Sequence, residues 1–101
     1  MGRTNLKDLK ERRLGRMTPA ERAEFDTTYA AAKLALSVGE QVRDAREAAE
    51  LSQRALASRM GTSQAAIARL EAGGVSSTLT TLQRVAIALE LEVSVSLRPA
   101  G

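Results

Sequence analysis

A chain of 101 residues, 44% hydrophobic and 27% charged, has the length and composition of one globular domain with a single modest core. It contains neither Cys nor His, which excludes a disulfide framework, a thiol nucleophile, the usual zinc ligands and an imidazole base, and with them most familiar hydrolytic and metal chemistry. The net charge of +3 is unevenly spread, because residues 1–16 hold six Lys/Arg against two Asp/Glu while the remainder holds nine basic against ten acidic groups.

The basic stretch 1–17 reads as a flexible arm, in which Leu6, Leu9 and Leu14 could form a weak helix on a partner. Auxiliary contact with nucleic acid is one alternative, and a native start at Met17 is another, so no specific role is assigned to it. No stretch approaches the roughly 18 apolar residues of a membrane span, and no apolar signal-peptide core follows the charged start. Only Phe25 and Tyr29 are aromatic, so the core is expected to be aliphatic and built from close-packed helices.

Order is expected from Thr18. The run TPAE is a capping box in which Thr18 and Glu21 satisfy each other's backbone N–H, with Pro19 in the first helical position, where its missing N–H costs nothing. An N-terminal helix over 18–37 should follow, its stripe Phe25, Tyr29, Ala32 and Leu36 facing either its own domain or a partner. Gly39 is expected to loosen the chain before a second helical segment, GEQVRDAREAAE, whose Val42, Ala45 and Ala49 face inward and whose Glu40, Arg43, Asp44 and Glu47 face water.

The stretch 51–73, LSQRALASRMGTSQAAIARLEAG, carries two short helical patterns separated by Gly61. Ser52 is a good N-cap for a helix over Gln53–Met60, in which Leu56 and Met60 form an apolar i, i+4 pair beside small Ala57. Ser63 caps a second helix over 64–72, which buries Ile67 and Leu70 and ends at Gly73 and Gly74. Two short helices meeting steeply at a tight turn form a helix-turn-helix unit, with the second helix projecting. Its outward face is Gln64, Ala65, Ala68, Arg69 and Ala72, small, polar and basic. Such a face suits the major groove of DNA, where Arg matches a guanine edge, Gln an adenine edge and Ala a thymine methyl. Between 51 and 84, Arg54, Arg59, Arg69 and Arg84 stand against Glu71 alone, a local balance that favours phosphate. Ser76, Ser77 and Thr78 cap a helix over Leu79–Leu89, and their hydroxyls could also meet phosphate.

These residues resemble the lambda-repressor-like (Xre) helix-turn-helix regulators over about 39–89, with Gln53, Leu56, Ala57, Gly61, Ser63, Gln64, Ile67, Leu70 and Glu71 at the family's spacing. The resemblance implies that Gln53, opening the first motif helix, anchors a phosphate. It also implies that Gln64, Ala65 and Arg69 read bases, and that Arg46 and Glu71 form a buried ion pair joining the first core helix to the recognition helix. Ala65 stands where a polar base reader is common, and AGGVSS where the loop is often more basic, so weaker or more shape-dependent specificity is implied. The helical leader and the tail look similar to HigA-type antitoxins. That likeness implies a bacterial, cytoplasmic, nucleoid-associated repressor of its own operon, which neutralises a RelE/HigB-like toxin that cleaves messenger RNA.

The tail LEVSVSLRP alternates Leu91, Val93, Val95 and Leu97 with polar residues, the period of a half-buried strand. A lone strand is not stable, so residues 91–98 are expected either to pair with a twofold mate as a dimerising strand or to pack on their own helices. The expected fold is thus all-α: a lambda-repressor-like helix-turn-helix bundle of about five helices, its DNA-binding domain over 38–90, with a short C-terminal β-strand. Its partners would be double-stranded DNA at a palindromic operator, a second copy of the chain and a cognate toxin. No catalytic residue, metal or cofactor is assigned, because no carboxylate pair, glycine-rich phosphate loop or activated nucleophile is present. A solitary regulator without a toxin, or a protein-interaction module with weak DNA affinity, are the alternatives.

Overall fold

The computed structural model describes residues 15–74 and 78–100. Among the described residues the elements are four α-helices: α1 (Pro19–Ala48), α2 (Gln53–Met60), α3 (Gln64–Glu71) and α4 (Leu79–Leu89). The chain divides into two compact units, Met1–Leu34 and Ala35–Gly101. No helix is long and apolar enough to cross a membrane among the described residues.

In the first unit α1 opens on a reciprocal cap. The Glu21 amide donates to Thr18 Oγ1 at 3.1 Å, and the Thr18 amide donates to Glu21 Oε2 at 3.3 Å, so two of the free N–H groups of a helix start are satisfied locally. Phe25 and Tyr29, one turn apart, are half-buried and stack with ring centroids 6.5 Å apart.

The second unit holds the aliphatic core: Val42 from α1, Leu56 and Ala57 from α2, Ile67 and Leu70 from α3, and Val85 and Leu89 from α4. Helix α2 is the central element and packs against both α3 and α4. Leu56 is fully buried, and Ala57, 2% exposed, keeps the surface of α2 low where its neighbours approach. Two arginines tie α2 to α4 through carbonyls at helix ends. Arg59 Nη1 donates to Ala88 O at 3.1 Å, and Arg84 Nη2 donates to Met60 O at 2.6 Å. Each places a cation where the helix dipole is negative and carbonyls lack intrahelical partners.

All four helices close in the same way. A residue with positive φ follows each helix, and its amide and the next one turn back onto the last turn, as Gly73 N–H to Leu70 O and Gly74 N–H to Arg69 O do after α3. Glycine takes the left-handed position after α2 (Gly61) and α3 (Gly73), whereas Glu50 and Glu90 take it after α1 and α4.

Three expectations are corrected. The leader helix and the segment after it are one continuous helix, so among the described residues four helices stand where about five were expected. Gly39 does not loosen it. It is buried, and a Cβ built there would lie 2.5 Å from Glu71 O and 2.6 Å from Leu70 O, so the glycine permits close approach of backbones, not a break. Ala49 faces solvent instead of the core, because α1 ends at Ala48 and Glu50 turns the chain in the left-handed conformation. Finally, residues 91–100 form no strand. Leu91, Val95 and Leu97 are 51%, 69% and 96% exposed, and of the four alternating apolar residues only Val93 is half-buried. A strand needs a second strand to bond with, and none lies among the described residues.

Candidate nucleic-acid interface

The helices that build the site are short, and their ends are fixed by local chemistry. Ser52 Oγ accepts from the Ala55 amide at 3.0 Å and Ser63 Oγ from the Ala66 amide at 3.1 Å, each serine holding the extended backbone of an N-cap. Between them Gly61, at φ 68°, closes α2 while the Thr62 amide donates to Ala57 O at 2.9 Å. A residue with a Cβ would be strained in that left-handed conformation, so glycine lets the chain reverse into α3 within three residues.

Helix α3 turns Ile67 and Leu70 into the core, at 1% and 4% exposure. Gln64, Ala65, Arg69 and Ala72 are exposed, Ala68 is half-buried, and Ala66 is exposed as well. The outward face is therefore small side chains with one amide and one cation. Its lone acid is withdrawn, since the Glu71 side chain is 4% exposed. With unsatisfied amides and the positive end of the dipole at its first turn, α3 offers its start to anionic oxygen.

Glu71 is held from three sides. Arg46 Nε donates to Oε2 at 2.6 Å and Arg46 Nη2 to Oε1 at 2.9 Å, a two-point fork in which the arginine is 11% exposed. Gln53 Nε2 adds a third bond to Oε1 at 3.1 Å, and Arg46 Nη1 reaches Leu51 O at 2.8 Å. Burial pushes the Glu71 carboxyl up. The hydrogen bonds from Arg46 and Gln53, with the positive charges of Arg46 and Arg43, outweigh that and hold it below its ordinary value. The hydrogen bond to Glu71 likewise raises Arg46. Both groups are charged throughout the neutral range, and with Gln53 the pair links α1 and α2 to the last turn of α3.

The remaining residues of interest are placed as follows. Gln53 commits one amide hydrogen to Glu71 and keeps a second. Ser63 and Thr78 accept from backbone amides as caps, Thr78 from Thr81 at 3.1 Å, which leaves hydroxyl hydrogens for other partners. Ser76 and Ser77 lie outside the described residues, as does the arm over 1–14. All four arginines between 51 and 84 are exposed; Arg59 and Arg84 are engaged at carbonyls, and Arg54 and Arg69 are not. Sequence reasoning missed these carbonyl clamps, the bond from Gln53 to Glu71 and the exposure of Ala66. For Ala66 periodicity gave no clear signal, because a 100° step per residue places it only about 40° from buried Leu70, at the edge of the apolar stripe. The tail residues Leu91, Val93, Val95 and Leu97 belong to a separate surface feature, and no group of three His, Cys, Asp or Glu among the described residues could hold a metal ion.

The model of one protein family, described as helix-turn-helix, matches residues 42–95 of the chain, which takes in α2, the turn, α3 and α4. Neither the comparison with curated proteins nor that with solved structures returned a match.

Proposed function

Since the chain belongs to the helix-turn-helix family, of the lambda-repressor-like kind whose members are DNA-binding transcription regulators and not enzymes, we propose that it represses its own promoter as the antitoxin of a type II toxin–antitoxin pair. The observation that carries the DNA-binding part is α3 itself: an eight-residue helix, capped at both ends and anchored by a buried ion pair, that turns only Gln64, small residues and Arg69 outward. In the major groove, Arg69 pairs with a guanine edge and Gln64 with an adenine edge, and Ala65 and Ala68 lie against thymine methyls. Gln53, through its second amide hydrogen, and Ser63 and Thr78, through their hydroxyls, meet phosphates and set the register, with Ser76 and Ser77 beside them.

One recognition helix covers only a few base pairs, so a useful site needs two copies. A twofold dimer places them in successive major grooves about 34 Å apart on a palindromic operator. The tail is the proposed dimer element. Its exposed apolar residues and unpaired backbone gain most from a second copy of themselves, which would supply the ladder that a single chain lacks. The antitoxin part rests on the helical leader that precedes the helix-turn-helix unit, and its proposed partner is a RelE/HigB-like toxin that cleaves messenger RNA. In this reading the protein works in the bacterial cytoplasm, at the nucleoid.

The test is binding to the DNA upstream of its own gene across a salt series. Arg54 and Arg69 are exposed arginines that are not engaged at the helix-end carbonyls that hold Arg59 and Arg84. With two to three cationic contacts per subunit, the slope of log K against log salt is expected to be roughly −4 to −6 for the dimer. A slope near zero would count against binding through this face. Co-purification with the product of the adjacent gene, and loss of that product's ribonuclease activity in the complex, tests the antitoxin part. A neighbour that neither binds nor cleaves RNA would leave a solitary regulator.

A further inference from the structure

The geometry points to Gly39 and Gly73 as the paired residues that set the angle of the recognition helix, through a seat in which the backbones of α1 and α3 touch; this rests on α3 reading DNA. On the α1 side, a Cβ added to Gly39 would meet Glu71 O at 2.5 Å, Leu70 O at 2.6 Å and the Glu71 carbonyl carbon at 2.9 Å. On the α3 side, a Cβ added to Gly73 would meet Leu36 Cδ2 at 2.9 Å and, behind it, Leu36 Cα at 3.0 Å and N at 3.1 Å. The contact is reciprocal: one turn of α1, 36–39, lies against the closing turn of α3, 70–73, with glycine on each side at the point of nearest approach.

Nearly all of these neighbours are backbone atoms, which distinguishes this seat from ordinary core packing. A side chain can relieve a close contact by changing rotamer, but a helix backbone moves only as a body. Gly39 also sits inside a helix, where glycine is about 1 kcal/mol worse than alanine, so its presence there has a physical reason in the clearance it provides. The Arg46–Glu71 fork holds the same end of α3 from one turn and three residues further along α1. The fork supplies attraction between the two helices and the glycines supply the distance of closest approach; both are needed to fix one angle. Because Arg69 lies in the last turn of α3, a change of angle at 70–73 moves the base-reading cation, while Ser63, at the far end of the helix, keeps its phosphate register.

The experiment compares wild type with Gly39→Ala, Gly73→Ala and Leu82→Ala. Leu82 is half-buried in α4 against the core and serves as a stability control away from the seat. A pool of random duplexes is enriched with the wild-type protein. The duplex enriched most and a scrambled version of it are then used to measure affinity for all four proteins, beside thermal melts. Gly39→Ala and Gly73→Ala are expected to reduce the preference for the enriched duplex by about tenfold or more, the worth of about one base-reading contact, with affinity for the scrambled duplex changed by less than about twofold, since phosphate contacts set that affinity. Leu82→Ala is expected to melt lower and keep its preference. Should Gly39→Ala fail to fold, Gly73→Ala carries the test: its nearest neighbour is the end of a flexible side chain, and a Cβ at its φ of 73° is strained only in a conformation that Glu50 and Glu90 already hold. Folded seat variants with undiminished preference, or an equal loss of preference in Leu82→Ala, would overturn the assignment. A wild-type protein that enriches no sequence would instead remove the DNA-reading function, and the seat's role with it.

Discussion

The recognition helix and the C-terminal tail are both short amphipathic segments of about eight residues, yet α3 is fixed from every side and the tail is not. An isolated helix of eight residues is unstable in water. Helix α3 exists because Ser63 caps its start, Gly73 and Gly74 close its end, Ile67 and Leu70 are buried, and Glu71 is bonded to Arg46 and Gln53. Beyond Leu91, whose amide closes α4 on Ala86 O at 2.8 Å, the tail shows no comparable anchoring, and it leaves Leu91, Val95 and Leu97 in solvent. A helix satisfies its backbone from within, so one chain can complete it, whereas an extended segment has to find a second one. The contrast separates what is built to present a surface from what is left to be completed by association.

The sharpest way to break the contrast is to remove the fork. Glu71→Ala leaves the Arg46 guanidinium, 11% exposed, with Leu51 O and, at 4.0 Å, the exposed Glu47 carboxylate as its remaining partners. Loss of one member of a buried pair costs about 3–5 kcal/mol, a large share of the 5–15 kcal/mol that holds a small domain together. Thermal and urea melts should show a severe loss for Glu71→Ala and Arg46→Ala, and Arg46→Met with Glu71→Leu should recover much of it. Strictly additive losses would mean that the two residues do not interact. Acid tests the same pair. The folded-state value of Glu71 lies below its ordinary 4.5, so its stabilisation is complete above that pH and is lost as pH falls through the lower, folded value. With no histidine in the chain, stability and DNA affinity should be nearly flat between about pH 6 and 8.

The tail should behave in the opposite sense. Deleting residues 91–101 removes little from the core, where only Val93 is half-buried, so the melt of a dilute sample should change little. Operator affinity should nonetheless fall by about a hundredfold or more, because two half-sites no longer share the effective concentration of a preformed dimer. Sedimentation beside a gel shift is the measurement, with Val95→Asp expected to act in the same direction. A truncated chain that stays dimeric and binds normally would move the interface to another surface, such as the helix face bearing Phe25 and Tyr29.

A finer division lies within the recognition face. Arg69→Ala and Gln64→Ala should each cost about 1–3 kcal/mol on the operator and much less on random DNA, while Gln53→Ala should weaken both alike. Gln53→Ala should also lower stability, because it removes a bond to Glu71. Equal losses on every sequence for Gln64→Ala would remove it from base reading.

How far the sequence announced these features follows from how local their causes are. The caps Thr18, Ser52 and Ser63, the turn at Gly61 and the buried pairs within α2 and α3 involve residues within a few positions of one another, and each was legible. Gly39 was misread because a glycine in a helical pattern looks the same whether it ends the helix or admits a neighbour, and that neighbour, the end of α3, lies some thirty residues further along the chain. The bond from Gln53 to Glu71 and the carbonyl clamps of Arg59 and Arg84 were invisible for the same reason. In the tail, alternation correctly marks an amphipathic extended segment, but periodicity cannot say whether the chain itself supplies the second strand. The outward face of α3 was legible in its outline, because the 3.6-residue period that buries Ile67 and Leu70 exposes Ala65 and Arg69.

The smallest expected effect sharpens the comparison at the point where α4 hands over to the tail. Helix α3 ends on glycine in the left-handed conformation, but α1 and α4 end on Glu50 and Glu90, both at φ 58°. A residue with a Cβ pays roughly 1–2 kcal/mol in that conformation, and a carboxylate at a helix C-terminus also opposes the dipole. Glycine would relieve both, less the extra freedom it gives the unfolded chain. Glu50→Gly and Glu90→Gly are each expected to stabilise by about 0.5–1 kcal/mol, a rise in Tm of roughly 2–6 °C for a domain of this size. Glu90→Ala separates the two causes, since it removes the charge and keeps the Cβ. If backbone strain dominates, Glu90→Ala should melt close to wild type and only Glu90→Gly should gain; equal gains from both would make the charge at the helix end the cause.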